Sequence, residues 1–305
     1  MSMEQEETSI FEESDFKTEI EKGKAYPRVG QLFMLIPVAL GLVFLLVVPW
    51  GIYLLSTRQV NGQPDLTAIQ ESSQSRPAVL TFGVSIGLFL FMYWKKRKQE
   101  PGFQIKMEQP GVGLLAKVFM TLFLSYTTVM LLGQSLGSSP LQLTLFSMEE
   151  QLHSIGVPLT FLIYALVIPI LSSLMVYSIG YDGLLKNYSY KSVFYIGVVG
   201  LSILYIQPGL ILIALPIGIL NFLVFYKTRN ILNVIIPGIA LQIILLLTIS
   251  SSNTDDILDI ARSIPVWGSC IIAALAGLSW YVLLQDLRKM EIPDSNNFES
   301  DNNYI

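Results

Sequence analysis

VPLTFLIYALVIPILSSLMVYS, residues 157–178, runs for twenty-two positions without a charged side chain. A bilayer hydrocarbon core of about 30 Å is crossed by roughly 20 apolar residues in helical form, so the stretch reads as a membrane span. Inside lipid the backbone must satisfy its own hydrogen bonds, which makes that span a helix. Working outward, the same pattern recurs near 31–56, 77–94, 111–135, 190–206, 208–226, 230–250 and 264–284. Turn formers separate these blocks (Asn61-Gly62, Gln207-Pro208-Gly209, Ser251-Ser252-Asn253), and interfacial aromatics such as Tyr93-Trp94 and Trp280-Tyr281 mark their ends. The expected fold is all-α: a polytopic transmembrane bundle of about eight spans over 31–284. An acidic tail precedes it (1–30) and a second tail follows (285–305).

Composition agrees. Of 305 residues, 52% are hydrophobic and only 14% charged, and the mean hydropathy is +0.56. Eight apolar blocks leave no length for a large aqueous catalytic domain. The lone cysteine, Cys270, has no intramolecular disulfide partner. Basic residues lie in short runs beside apolar blocks, which argues against nucleic acid as a partner. The first thirty residues carry eight acidic side chains, unlike the basic start of a signal peptide.

Lys and Arg resist translocation, so their distribution sets orientation. With eight spans and both termini cytoplasmic, fifteen cations fall inside, among them Lys95, Lys96, Arg97, Lys98, Lys186, Lys227, Arg229, Arg288 and Lys289. Only Arg58, Arg76 and Arg262 fall outside, and Lys117 lies within the third span, from which it can snorkel. This bias suits a bacterial plasma (inner) membrane.

An ionisable group at bilayer depth marks chemistry. Lys117 apart, the blocks offer neutral polar side chains: Ser125, Thr127, Thr128, Ser172, Ser173, Tyr177, Ser202, Tyr205, Asn221, Gln242, Thr248, Ser269 and Ser279. Hydroxyls of this kind return to a carbonyl one turn earlier, whereas Asn221 and Gln242 need interhelical partners or a polar cavity. In the outer loop, Glu150 and His153 stand at i, i+3, the spacing of half a di-iron motif, but His153 is the single histidine. The loop reads better as a surface helix with a Ser147–Glu150 capping box. SSNTDDILDIARS similarly reads as a short helix starting at Thr254.

The order of features from 169 to 250 resembles the core of the CPBP membrane-protein family (CAAX proteases and bacteriocin-processing, or Abi, proteins). That family carries a proline, Glu-Glu-x-x-x-Arg-Gly on one helix, a Phe-x-x-x-His helix, a glycine-containing helix, and a helix with His-x-x-x-Asn or Asp. Here Pro169 precedes Ser172-Ser173, which stand in place of Glu-Glu, with Tyr177 in place of Arg. Leu201 and Tyr205 take the places of Phe and His, and Gly238 and Gln242 those of the second His and the Asn. GYDGLLKNYSYKS and PIGILNFLVFYKTRNI resemble the family's polar loop and glycine-containing helix.

The resemblance implies a CPBP-like core at about 157–250 whose catalytic positions have been neutralised. The family's glutamates and histidines are thought to hold a metal or activate a water. Ser, Tyr, Gly and Gln do either poorly at neutral pH. No catalytic residue, metal or other cofactor is therefore expected. The expected role is that of a pseudoprotease scaffold, assembly or regulatory subunit, whose partners are another integral membrane protein or complex and the lipid bilayer. The alternatives are a residual hydrolase using Ser172 or Ser173 as nucleophile, and a channel or transporter for a neutral or lipid-like solute.

Overall fold

The computed structural model describes residues 25–57, 59–60, 63–64, 76–135, 140–200 and 208–290. Leu201 and Tyr205 lie outside them, as do most of both tails.

Helix α1 spans Val29–Thr57, and the two-residue strands β1 (Gln59–Val60) and β2 (Gln63–Pro64) pair antiparallel beyond its end. Then come α2 (Arg76–Gln99), α3 (Val112–Ser135), α4 (Pro140–Ile155) and α5 (Val157–Asn187). The short α6 (Tyr190–Val193) continues as π-helical turns over Phe194–Gly200. Helices α7 (Pro208–Thr228), α8 (Leu232–Ser251), α9 (Thr254–Ser263) and α10 (Val266–Lys289) complete the order. Five of these are long and apolar enough to cross a membrane: α1, α3, α5, α8 and α10. The protein is an all-α, multi-pass integral membrane protein. Helices α2 and α7 are also long, and the second half of the block predicted at 190–206 lies outside the described residues.

Helix α3 is the hub, packed against α10, α8, α7 and α4. Val118, Leu122, Tyr126 and Met130, four residues apart, put one buried stripe of α3 into the core. They meet Leu283 and Leu287 of α10, Leu220 to Tyr226 of α7, and Val234, Ile235 and Leu241 of α8 in one apolar cluster. Apolar burial alone cannot choose partners in lipid, where tails are as apolar as leucine, so polar contacts and close fit carry specificity. The α3–α10 seam has both. The Trp280 indole donates to Ser125 Oγ at 2.8 Å, Thr121 and Ser279 share a hydroxyl bond of 2.7 Å, and Lys117 pairs with Asp286. Lys117, expected to snorkel toward the headgroups, has a carboxylate partner two residues beyond the predicted end of the last span.

Helix α5 lies between α8 and α2, and α1 forms the edge, packed mainly on α2. Small residues set that last contact. A Cβ on Gly83 would stand 2.8 Å from Leu46 Cδ1, and one on Gly87 2.8 Å from Leu42 Cδ1, so the two glycines form the groove that seats these leucines.

The remaining elements make a two-faced molecule. On one face α4 and α9 pack together around Leu145, Ile249 and Leu258. Ser147 lies in the middle of α4 rather than at a cap, and accepts a bond from Gln151 Nε2 at 3.3 Å. His153 stands 3.9 Å from Glu149, not Glu150. Thr254 does open α9, with Asn253 as the capping position before it. The opposite face gathers every lysine among the described residues, together with both described chain ends: Ala25–Arg28 sits beside Lys96, and Met290 accepts from Lys227.

Candidate functional site

Helix α5 carries the serines. It has 31 residues and so measures about 46 Å at 1.5 Å per residue, well beyond a hydrocarbon core of about 30 Å. Two π-helical stretches, Phe161–Val167 and Leu174–Tyr181, flank the α-helical turn Ile168–Ser173. Pro169 stands in that turn without an N–H to give to the ladder. Wide turns of this kind, with i→i+5 bonds, recur at functional positions, and here they bracket Ser172-Ser173.

Both serines are half-buried, and the Ser172 hydroxyl donates to the Pro169 carbonyl at 3.2 Å. Helix α8, which bears Gly238 and Gln242, packs against both Phe161–Val167 and Ile168–Ser173. The structure thus brings together two of the helices that the sequence singles out. Gln242 is half-buried, and a Cβ on Gly238 would meet nothing within 4 Å.

The wide turns begin at Leu174, and Tyr177, at i+4 from Ser173, packs toward α7. Its buried ring lies 5.3 Å from Tyr181 and 5.9 Å from Phe225 of α7. Tyr181 meets Phe222 edge-on at 4.9 Å, and Tyr190 closes the group at 4.4 Å from Tyr226. Gly197 admits this packing, since a Cβ there would stand 2.1 Å from the Tyr181 ring. The result is a close-packed aromatic block between α5, α6 and α7.

A second constellation lies where α5 emerges on the lysine-rich face. Lys96, fully buried, donates to the Tyr26 carbonyl at 2.8 Å and ion-pairs with Glu100 Oε1 (2.6 Å) and Asp182 Oδ2 (2.9 Å). Lys186 donates to Glu100 Oε2 at 2.7 Å and ion-pairs with Asp182 Oδ2 at 2.9 Å. Two cations and two carboxylates therefore alternate in a ring, which is how buried charge becomes tolerable. The ring clamps the chain before α1: Tyr26 N donates to Glu100 Oε1 at 3.1 Å, and Asn187 Nδ2 donates to the Ala25 carbonyl at 2.8 Å. Gly183 lets the strap lie flat, since any Cβ there would fall 2.0 Å from the Tyr26 oxygen. Burial pushes the Tyr26 phenol up to about 12, so it stays neutral.

A neighbouring turn ties down the 100–111 segment. Arg229 adopts φ 51°, Asn230 Nδ2 donates to the Glu108 carbonyl at 2.7 Å, and Asn230 Oδ1 accepts from Leu232 N at 3.1 Å. Neither the ring nor this turn was singled out from the sequence. Half the signal for the ring was there, in Lys96–Glu100 and Asp182–Lys186, each at i, i+4.

No family model matches the chain, and no curated protein and no solved structure matches it.

Proposed function

We propose that this protein is a non-catalytic membrane scaffold with a CPBP-like core, acting as an assembly or regulatory subunit of another integral membrane protein. The observation that carries the reading is the aromatic block at Tyr177. Where the resembled family keeps an arginine beside its catalytic residues, this chain has a buried tyrosine packed on Tyr181 and Phe225. The Ser172 hydroxyl, bonded back to Pro169, serves its own helix. These features support a core used for packing, and they leave the outer surfaces for function. The collection of cations on one face supports eight spans with both termini cytoplasmic, in a bacterial plasma membrane.

The test is purification from native membranes in mild detergent after in-cell crosslinking. A second membrane protein recovered in stoichiometric amount, with wild-type and Ser172→Ala/Ser173→Ala chains alike, is the expected result. A chain that crosslinks to nothing and purifies alone would overturn the scaffold, and loss of cellular function in the serine variant with assembly intact would restore the nucleophile.

A further inference from the structure

The end of α2 reads Tyr93-Trp94-Lys95-Lys96-Arg97-Lys98, four cations in a row after two aromatics. Successive helical residues point about 100° apart, so such a run cannot serve one partner. Only Lys96 turns inward, to the Glu100–Asp182 ring. The other three fold back over aromatic rings. Lys95 Nζ lies 5.4 Å from the Trp94 ring and 5.9 Å from Phe91, Lys98 Nζ lies 5.5 Å from Trp94, and the Arg97 guanidinium lies 5.9 Å from Tyr93. Among the described residues, none of the three has a carboxylate within ion-pair distance.

Trp94 is 55% exposed on a helix whose preceding turns are apolar, which is the setting of an interfacial tryptophan at headgroup depth. Cation–ring contacts of this length hold the three charges at that depth and limit their reach into water. The inward fourth cation fixes the helix rotation, because Lys96 cannot leave the ring without stranding Glu100 and Asp182. Three oriented cations with no carboxylate partner among the described residues, beside an exposed tryptophan at the end of an apolar helix, complement a phosphodiester that carries its own acyl chains.

We infer that Lys95, Arg97 and Lys98, with Trp94, form a binding site for the headgroup of an anionic phospholipid, the acyl chains lying along the apolar outer surface of α2. The site requires only that this end of α2 sit at a membrane surface, so it stands independently of the scaffold reading and of which leaflet is involved. The attraction of such cations to an anionic surface is screened by salt.

The experiment measures thermal unfolding of the full chain in neutral detergent with added phosphatidylglycerol, phosphatidylcholine or inorganic phosphate. Phosphatidylglycerol is expected to raise the midpoint by at least about 3 °C at low salt, and phosphatidylcholine and phosphate are expected to do far less. The gain should vanish in Lys95→Gln/Arg97→Gln/Lys98→Gln and persist in Arg288→Gln/Lys289→Gln, which alters cations elsewhere on the same face. Equal stabilisation by phosphatidylcholine, or by free phosphate, would overturn the inference. So would a gain that survives the triple substitution. If the triple variant lowers stability without lipid, and deletion of residues 1–24 does the same, the patch belongs to that acidic segment and the lipid assignment falls.

Discussion

At the scale of single residues, the ring around Lys96 makes the sharpest demands. Lys96→Met keeps volume but removes one of the two lysines that ion-pair with Glu100 and Asp182, leaving the buried carboxylates under-compensated. Breaking one partner of such a group costs about 3–5 kcal/mol, so the variant should unfold well below wild type in a thermal or denaturant titration in detergent. Gly183→Ala tests the same strap without touching charge. In an exposed helix the change would gain up to about 1 kcal/mol. Here the added carbon falls 2.0 Å from the Tyr26 oxygen, and a stability loss is expected instead. A stabilised Gly183→Ala would mean that the strap does not sit where the structure puts it. Ser172→Ala belongs to the opposite class: a hydroxyl bonded to its own helix is worth little, and the change should alter stability by less than about 1 kcal/mol in the same assay.

Between elements, the α3–α10 seam depends on polar contacts that cross from helix to helix. Trp280→Phe removes the indole donor to Ser125, and Thr121→Val removes the hydroxyl shared with Ser279. Interhelical hydrogen bonds in membranes average about 0.6 kcal/mol and reach about 1.7. Each variant should therefore cost about 0.5–1.5 kcal/mol in reversible unfolding from mixed micelles. Because Ser279 and Trp280 are adjacent and Thr121 and Ser125 lie one turn apart, the two contacts are close enough to couple, and the double variant should depart from the sum of the single costs. The helices themselves were legible in the sequence, since a charge-free run such as 157–178 has one stable form in lipid. The π-helical turns of α5 were not, because apolar composition alone does not separate i→i+4 from i→i+5 winding. The Lys96 ring was half legible. Its two i, i+4 pairs are local, but their union joins residues 26, 96–100 and 182–187, which nothing in one sequence brings together. Gln242 and Gly238 came out on a helix beside the serines because order along the chain constrains short-loop bundles; Tyr177 facing α7 depended on packing detail.

For the whole molecule, the decisive property is the asymmetry of its two ends. Contacts fix which residues share an end: Lys96 with Tyr26 and Asp182, Asn230 with Glu108, and Lys227 with Met290 lie on one side, while Leu145, Ile249 and Leu258 join α4 to α9 on the other. The positive-inside rule then predicts that the first side faces the cytoplasm. A chain with Cys270→Ser as background and single cysteines at Lys98, Lys289, Glu149 or Asn253 can be labelled in sealed right-side-out vesicles with a membrane-impermeant maleimide. Glu149→Cys and Asn253→Cys should react at once, and Lys98→Cys and Lys289→Cys only after permeabilisation. The inverse pattern would reverse the orientation while leaving the fold intact. A mixed pattern, with Lys98→Cys and Lys289→Cys on different sides, would contradict the fold itself, because the contacts of Lys96 with Tyr26, Val29 with Tyr188, Tyr190 with Tyr226 and Lys227 with Met290 place the ends of α2 and α10 on one face.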